Sequence, residues 1–244
     1  MKTKTREVLQ KSIINDKYLK LPKIQLERNE YMDIKKEIEK IGGKWKGGKT
    51  SAFVFPQNPK SKLDKILKGD KINLKQDYQF FETPKEIVYK LIELAEIEPQ
   101  HTLLEPSAGQ GTIIEELNLI SEEQVYFYEA MDDNLCIMLD KNLKSYYLGS
   151  DFLQNKKKFD RIIANPPFKN NQDIDHLIKM YNSLNKNGIL VCITSSFWVE
   201  GKQQKQSYFR NWIKQVNAKI IDVPEGSFKS SGTSVSTKII KIRK

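Results

Sequence analysis

The sequence has few of the residues that disulfide-bonded proteins and metalloenzymes require. Its 244 residues include only two cysteines, Cys136 and Cys192, and two histidines, His101 and His176. The cysteines lie far apart within apolar stretches, which favours buried free thiols in a reducing cytoplasm over a disulfide or a metal site. A metal enzyme is hard to build from only two histidines without a cluster of carboxylates, so we expect no metal centre.

Long apolar runs are also missing. The chain contains no run of about 18 apolar residues, the length that a membrane-spanning helix needs. The N-terminal MKTKTREVLQ has no apolar core of the kind that a secretory signal requires. With 39% hydrophobic and 30% charged residues, the composition is that of a globular protein. We therefore expect a cytoplasmic protein that has no membrane partner.

Positive charge is abundant, but it is confined to the first third of the chain. Residues 1–75 carry 20 Lys and Arg against 9 Asp and Glu, a balance of +11, whereas the remaining residues carry 21 against 22, a balance of −1. Because lysine and arginine bind polyanions by releasing counterions, this asymmetry predicts a nucleic-acid contact in the N-terminal part. The alternative is a lysine-rich surface that reflects genome composition alone.

Residues 1–75 are predicted to form a small basic α+β module. Residues 1–24 have few periodic signals and are expected to be a poorly ordered arm or one short helix. Apolar residues at helical spacing predict a helix over 30–41. The stretch GGKWKGGKTSAFVF predicts a β-hairpin around glycines 47–48, and residues 61–69 predict a short helix.

After this module, strands alternate with helices, a pattern typical of a three-layer Rossmann-like α/β fold with a mostly parallel sheet. Thr83, Pro84 and Glu86 form an N-cap pattern that predicts the start of the first helix. The last two strands are joined by a Gly/Ser-rich loop and are expected to be antiparallel at one edge. Seven strands are predicted at 102–105, 125–129, 146–151, 159–165, 188–196, 219–223 and 235–242, and further helices at 111–120, 133–142 and 173–184.

The first candidate site is the segment EPSAGQG, residues 105–111, between a predicted strand and helix. It lies where open α/β sheets bind ligands, and its glycines allow close approach of the backbone. A dinucleotide fingerprint would need glycine in place of Ile114, and a phosphate loop would need Gly-Lys-Ser/Thr. The acidic Glu105 instead suits a ligand with cationic groups, such as the sulfonium and ammonium of S-adenosylmethionine. A purely structural tight turn is the alternative.

Acidic residues also follow the next two predicted strands. Glu129 ends the second strand, where a carboxylate can accept both hydroxyls of a ribose. After the third strand, Asp151 can accept a hydrogen bond from an adenine amine, and Phe152 can cover the ring. The alternative is that Asp151 and Phe152 have only structural roles, as a helix cap or as a core residue.

The second candidate site is Asn165-Pro166-Pro167-Phe168, at the end of the fourth predicted strand. Two prolines cannot extend a central strand, so a structural turn is one interpretation. The chemical interpretation is that the Asn165 side-chain oxygen and the Pro166 carbonyl accept both N–H bonds of an exocyclic aromatic amine, which localises the nitrogen lone pair. Proline restricts the direction of that carbonyl, and Phe168 offers a ring on which a base can stack.

These segments, in this order, resemble the amino methyltransferases of the Asn/Asp-Pro-Pro-aromatic class, specifically the DNA adenine-N6 methyltransferases. The resemblance covers about residues 76–244 and rests on the combination FxTP, EPSAGxG and NPPF. It implies S-adenosylmethionine as cofactor, a flipped base, and a reversed β-hairpin at the end of the sheet. It assigns catalysis to Asn165, Pro166, Pro167 and Phe168, and cofactor binding to Tyr78, Phe81, Thr83, Pro84, Glu105, Pro106, Ser107, Ala108, Gly109, Gly111, Glu129, Ala130, Asp151, Phe152 and Asn165.

The chain departs from this family in having little room for a target-recognition domain. About 76 residues follow Phe168, and the remaining predicted strands use them. Specificity is therefore expected from residues 1–75, from loops at 169–173 and 198–208, or from a partner. In GGKWKGGK, the lysines are candidate phosphate contacts and Trp45 is a candidate DNA wedge, although Trp45 fits the core of a small module equally well.

Three other functions remain open at this point. An rRNA guanine-N2 methyltransferase and a protein glutamine-N5 methyltransferase would use a similar Asn-Pro-Pro loop, but the FETP element favours the adenine enzymes. A non-enzymatic DNA-binding subunit of a methyltransferase complex is the third, and the intact Asn165 and Phe168 argue against it. The short chain suits a phage-type enzyme or one half of a restriction–modification pair, and its oligomeric state stays open.

Overall fold

The computed structural model describes residues 1–74, 81–143 and 145–244. The chain divides into two compact units, Met1–Tyr78 and Gln79–Lys244. No helix in the described part of the chain is long and apolar enough to cross a bilayer.

The first unit packs three helices on one face of a four-stranded antiparallel sheet with strand order β1-β2-β4-β3. Leu19 and Phe53 of the sheet are fully buried in one apolar core with Leu9, Ile38 and Ile66 of the helices. The elements are α1 (Thr3–Gln10), β1 (Ile13–Asn15), β2 (Tyr18–Lys20), α2 (Arg28–Lys40), β3 (Lys44–Lys46), β4 (Ala52–Val54) and α3 (Lys60–Lys68).

The short helix that was one expectation for residues 1–24 is present as α1, but the ordered hairpin that follows it was not predicted. Strands β1 and β2 pair around a tight turn in which Asp16 has a φ of 50°. Each strand has only three residues, too few to give a periodic signal. The hairpin depends on the pairing of β2 with β4, a strand more than thirty residues away in the chain.

The predicted hairpin at 44–54 is confirmed as the β3–β4 pair. Trp45 lies on edge strand β3, and its ring packs edge-on against Phe53 with ring centroids 5.1 Å apart. The Trp45 side chain is nevertheless 46% exposed. It therefore lies at the rim of the small core rather than within it.

The second unit contains the predicted seven-stranded sheet, in the order β10-β11-β9-β8-β5-β6-β7. The five strands from β9 to β7 are parallel, whereas β11 is antiparallel to both of its neighbours. The elements are α4 (Lys85–Ala95), β5 (Leu103–Glu105), α5 (Thr112–Glu115), β6 (Val125–Tyr128), α6 (Asp132–Asp140), β7 (Tyr146–Gly149), β8 (Phe159–Ala164), α7 (Gln172–Asn182), β9 (Leu184–Ser195), α8 (Phe197–Glu200), α9 (Gln204–Gln215), β10 (Lys219–Asp222) and β11 (Thr237–Arg243).

Two apolar cores lie on opposite faces of this sheet, which gives the three-layer arrangement. Alternate residues of β9 enter the two cores, because side chains of a strand point to opposite faces. Ile189, Val191 and Ile193 pack in the core that contains α4, and Leu190 and Cys192 pack in the core that contains α7 and α9. The predicted fold class is confirmed.

Two predicted segments differ from the structure. The helix expected over 111–120 is limited to the single turn α5, since the chain leaves the helix after Glu116 and buries Ile120 in the same core as Ile113. The loop expected at 198–208 instead contains helix α8 and the start of α9. Phe209 and Ile213, four residues apart, are buried on one face of α9, so its helical spacing was present in the sequence.

The strand order places the loops that follow β5 and β8 side by side. From this central pair the chain continues to β6 and β7 on one side and to β9 on the other. Such a reversal leaves a crevice at the carboxyl ends of the strands, where open α/β sheets bind ligands. Residues 105–111 and 165–168 are therefore neighbours at this edge.

Candidate active site

The side chain of Asn165 is held by the segment that precedes helix α4. Its amide nitrogen Nδ2 donates hydrogen bonds to the Phe81 carbonyl oxygen at 3.2 Å and to Thr83 Oγ1 at 3.1 Å. Among the residues that the structure describes, none donates a hydrogen bond to the side-chain oxygen Oδ1 of Asn165. The half-buried amide is therefore oriented, with its oxygen available as an acceptor.

This contact corrects the predicted role of Thr83 as a helix cap. Helix α4 starts at Lys85 after Pro84, whose backbone is extended (φ −59°, ψ 142°), and no side chain caps it. The buried Thr83 hydroxyl accepts from Asn165 instead. The sequence pattern around Thr83 suited a cap, but the partner that it meets lies 82 residues further along the chain.

The rest of the 165–168 loop is anchored to the protein. Pro166 is buried, and half-buried Phe168 packs against the core that contains α4. The chain then passes through Asn170 and Asn171, both at a φ of 56°, before α7 begins. Asparagine tolerates this left-handed conformation better than most residues, so the sharp exit from the loop suits its sequence.

Two residues that were not predicted as site residues also secure this region. Ser231, in the loop between β10 and β11, donates its hydroxyl to the Glu82 carbonyl oxygen at 2.6 Å. Asp173, at the start of α7, is buried and accepts both the backbone N–H and the hydroxyl of Ser195 at 2.9 Å. The Ser195 partner of Asp173 lies 22 residues further along the chain, so no local sequence signal indicates this contact.

The backbone of the 105–111 loop requires its glycines. Gly109 and Gly111 have φ values of 58° and 78°. A Cβ atom added to Gly111 would lie 2.4 Å from Leu143 Cδ1, which no real Cβ contact allows. The Ala108 N–H donates to the Tyr128 carbonyl oxygen at 3.0 Å and joins the loop to the end of β6.

Glu105 is the most unusual group at this edge. Its side chain is at the end of β5, the residue is 2% exposed, and its Oε2 atom has no hydrogen-bond partner. Burial raises the pKa of Glu105 well above its usual value, the charge of Glu129 raises it further, and a hydrogen bond from the Ile114 backbone opposes the rise. An unpartnered buried carboxyl is costly unless a donor or cation reaches it.

Glu129 ties the glycine loop to the turn after β6. Its Oε2 atom accepts from the Gly109 N–H at 2.7 Å, and its Oε1 atom accepts from the Met131 N–H at 2.7 Å and from Asn134 Nδ2 at 3.1 Å. Burial raises the pKa of Glu129, and these hydrogen bonds oppose the rise. A ribose that binds Glu129 would have to share the carboxylate with these donors, and this role stays a prediction.

The structure gives Asp151 and Phe152 the simpler roles. Asp151 is exposed, and its Oδ1 atom accepts from the Leu153 N–H at 2.9 Å, so it caps the turn 152–154. Phe152 is 2% exposed and packs against the rings of Tyr128 and His176. A cap and a core residue are thus observed, and contacts of either residue with a cofactor remain predicted.

The remaining predicted residues that the structure describes follow β5 and β6 directly in the chain. Tyr78 is outside the described residues. Pro106 and Ala108 are buried, Ser107 is half-buried, and Ala130 is exposed beside Glu129. Within the described residues, no group of three or more His, Cys, Asp or Glu could hold a metal ion.

No protein-family model matches this sequence, and no curated protein sequence matches it. Solved structures match it by shape. A protein from Pyrococcus horikoshii, assigned provisionally as an RNA methyltransferase, is 18% identical with a TM-score of 0.55, and the match covers 76% of this chain and 98% of that one. A protein from Listeria monocytogenes, assigned provisionally as a class I S-adenosylmethionine-dependent methyltransferase, is 16% identical with a TM-score of 0.53, covering 75% and 66%.

The M protein of the type I restriction enzyme EcoKI is 14% identical with a TM-score of 0.56. The match covers 80% of this chain but 48% of that one, so this chain spans about half the length of the EcoKI protein. Identities this low show the fold alone. The second unit therefore has the Rossmann-like fold of these methyltransferase structures.

The buried carboxyl of Glu105 makes a prediction about stability. Its pKa is raised in the folded state, so the folded protein binds its proton more tightly than the unfolded chain does. Stability is then lost as pH rises from the usual glutamate value of 4.5 towards the folded-state pKa. We expect Glu105→Gln to raise the melting temperature at pH 8 by a few degrees, at about 2–4 °C per kcal/mol, and to change it little near pH 4.5.

Thermal unfolding of both proteins across this pH range measures the effect. Glu123→Gln is the matched control, because Glu123 is exposed and the same substitution there should leave the difference flat with pH. A Glu105→Gln protein that melts below the parent at pH 8 would contradict the assignment of a buried, unpartnered carboxyl.

Proposed function

We propose that the second unit is an S-adenosylmethionine-dependent methyltransferase that acts on an exocyclic aromatic amine, namely N6 of adenine in DNA. The observation that carries this proposal is the orientation of Asn165. Its N–H bonds are both directed into the protein, to Phe81 and Thr83, so its oxygen is the atom that a substrate amine can reach.

The residues around β5 fit a cationic cofactor. The unpartnered Oε2 atom of Glu105 lies in a buried position at the end of β5, next to the loop in which Gly109 and Gly111 have positive φ values. Glu105 and Glu129 would hold the positive and the ribose parts of S-adenosylmethionine. When bound, this cofactor supplies a methyl group that its sulfonium activates. A neutral or anionic nucleotide would leave Glu105 without a counter-charge.

Asn165 and its neighbours prepare the substrate amine. The nitrogen lone pair of an aromatic amine is delocalised into the ring, which makes it a poor nucleophile. The amine would donate one hydrogen bond to Asn165 Oδ1 and one to the Pro166 carbonyl oxygen. These two hydrogen bonds favour a pyramidal nitrogen with a localised lone pair. Anchored Phe168 supplies a stacking face worth about 1–3 kcal/mol. The methylated amine is acidic and loses its proton afterwards, so no strong base is required.

The choice of adenine in DNA rests on two features of the sequence. The FETP element, which holds Asn165, is typical of the adenine-N6 enzymes that this chain resembles. The net charge of +11 over residues 1–75 supplies a surface for a polyanion. The solved structures of similar shape include both an RNA methyltransferase assignment and a restriction-enzyme M protein, so shape alone favours neither nucleic acid.

The substrate class is tested by incubating the protein with labelled S-adenosylmethionine and separate pools of duplex DNA, single-stranded DNA, RNA and ribosomal protein. Mass spectrometry of the nucleosides and peptides then identifies the product. We expect N6-methyladenine in DNA. N2-methylguanine in RNA or N5-methylglutamine in protein would replace the proposed substrate, and no transfer to any pool would favour a non-enzymatic subunit.

Asn165→Ala removes the acceptor on which the mechanism depends. We expect the rate of methyl transfer to fall by about 10²–10³, as when one preorganised hydrogen bond to a reacting group is lost, while cofactor binding, measured by calorimetry, persists. Asn211→Ala, on the exposed face of α9, is the control and should retain full activity. Equal activity of the Asn165 variant and the parent would refute the proposed mechanism.

Thr83→Val tests whether the orientation of the Asn165 amide matters. Valine keeps the shape of threonine but removes the oxygen that accepts from Asn165 Nδ2. Losing one such hydrogen bond, worth about 0.5–1.5 kcal/mol, should lower kcat up to about tenfold. Steady-state kinetics should show this loss in kcat, and Thr83→Ser should recover the rate. Equal rates for the valine and serine variants would mean that Thr83 does not position Asn165.

A further inference from the structure

Helices α1, α2 and α3 pack their apolar side chains against one face of the four-stranded sheet of the first unit. Among the described residues of this unit, no helix packs its core residues on the other face. Leu19, Phe53 and Trp45 are paired across neighbouring strands and point to the helical side. Since side chains alternate along a strand, the residues next to them point to the opposite side. That opposite face, here called the outer face, carries Tyr18, Lys20, Lys44, Lys46 and Val54, together with Ile13 and Asn15 of β1. Ala52 also lies on this side of the sheet, but it is fully buried.

The outer face is positively charged without compensation. The twelve residues of strands β1 to β4 read IIN, YLK, KWK and AFV, so their charged residues are Lys20, Lys44 and Lys46 alone. All three lysines are exposed. Within the part of the chain that the structure describes, none of them forms an ion pair with an acidic side chain.

The helices of the same unit are arranged differently. Several of their acidic residues pair with lysines, and the ion pairs Lys35–Glu39, Lys40–Glu37 and Lys60–Asp64 lie along helices α2 and α3. Lys2, next to α1, pairs with Asp33 of α2. The excess positive charge of residues 1–75 is thus partly neutralised on the helical side and fully available on the outer face.

An aromatic ring lies among these lysines. Tyr18 is in register with Val54, and Val54 is in register with Lys44, so the three side chains form one row across β2, β4 and β3. Tyr18 and Val54 are half-buried, whereas Lys44 is exposed. Neighbouring strands are about 4.8 Å apart, so Lys44 is within roughly 10 Å of Tyr18 along this row.

We propose that the outer face binds a single-stranded segment of nucleic acid, with its phosphates on Lys20, Lys44 and Lys46 and one base on Tyr18. A flat sheet with an aromatic ring among unpaired lysines offers stacking and charge together, the combination that unpaired bases and their backbone require. The proposal rests on the proposed function in one respect, that the substrate is a nucleic acid. It assigns affinity for the strand to a surface separate from the 165–168 loop.

The test compares two triple variants of the full chain that remove equal charge. The outer-face variant has Gln in place of Lys20, Lys44 and Lys46. The helix variant has Gln in place of one exposed lysine on each of α1, α2 and α3, namely Lys4, Lys36 and Lys68. Fluorescence anisotropy gives the affinity for a labelled single-stranded DNA, the same sequence as RNA, and the DNA duplex, over a range of salt concentrations and without cofactor.

We expect the outer-face variant to bind single strands at least about tenfold more weakly, with the slope of log K against log salt reduced by about 2, as three lost phosphate contacts predict. The helix variant should change the slope by less than half as much. Equal losses in both variants would overturn the proposal, because they would indicate diffuse attraction. The DNA and RNA arms show which strand the face prefers.

Tyr18→Ala should weaken single-strand binding by about five- to a hundredfold through loss of stacking, and Tyr18→Phe should bind like the parent. Circular dichroism and thermal melting confirm that each variant folds; should Tyr18→Ala fail to fold, the lysine variants still decide. Unchanged affinity in a folded Tyr18→Ala protein would overturn the stacking contact.

The failure of this inference is distinguishable from the failure of the proposed function. If the parent methylates DNA but the outer-face variants bind single strands as the parent does, this inference alone is refuted. If the outer-face variants lose affinity but the parent methylates no substrate, only the proposed function is refuted.

Discussion

The arrangement of the candidate site depends on the two hydrogen bonds that Asn165 Nδ2 donates to Phe81 and Thr83. They join the end of β8 to a segment more than 80 residues earlier and decide which end of the amide faces the edge of the sheet. Ser231 secures the same segment from the β10–β11 loop. The loops that follow β8 and β10 are thereby tied to one short stretch, so the acceptor geometry that the proposed chemistry needs is built before substrate arrives.

The two buried carboxyls on the other side of the crevice have opposite surroundings. Glu129 accepts hydrogen bonds from Gly109, Met131 and Asn134, and it stabilises the loop that it faces. Glu105 has an unpartnered oxygen and a pKa that burial raises well above its usual value. Energy lost at such a position in the free protein can be recovered when a cation binds. The pair therefore combines a structural tie with a site suited to positive charge.

The two units contribute different kinds of interaction to the proposed function. The second unit has charge that is nearly balanced, and its crevice is organised by short, directed hydrogen bonds. The first unit has the positive charge of the chain. Several acids of its helices are in ion pairs, whereas Lys20, Lys44 and Lys46 of the outer sheet face have no acidic partner among the described residues. Charge gives affinity for any strand, whereas the Asn165 loop discriminates by the chemistry of the group that it receives.

The sequence by itself determined the seven strands, most helices, and the loops at 105–111 and 165–168, because hydrophobic periodicity, glycine and proline act within a few residues. It also located the positive charge. Only the tertiary structure decided that Thr83 accepts from Asn165 rather than capping a helix, that Phe152 is buried, and that residues 13–20 form a hairpin. Each of these depends on a partner distant in the chain, such as β4 for the hairpin, and local propensity carries no information about which distant residues meet.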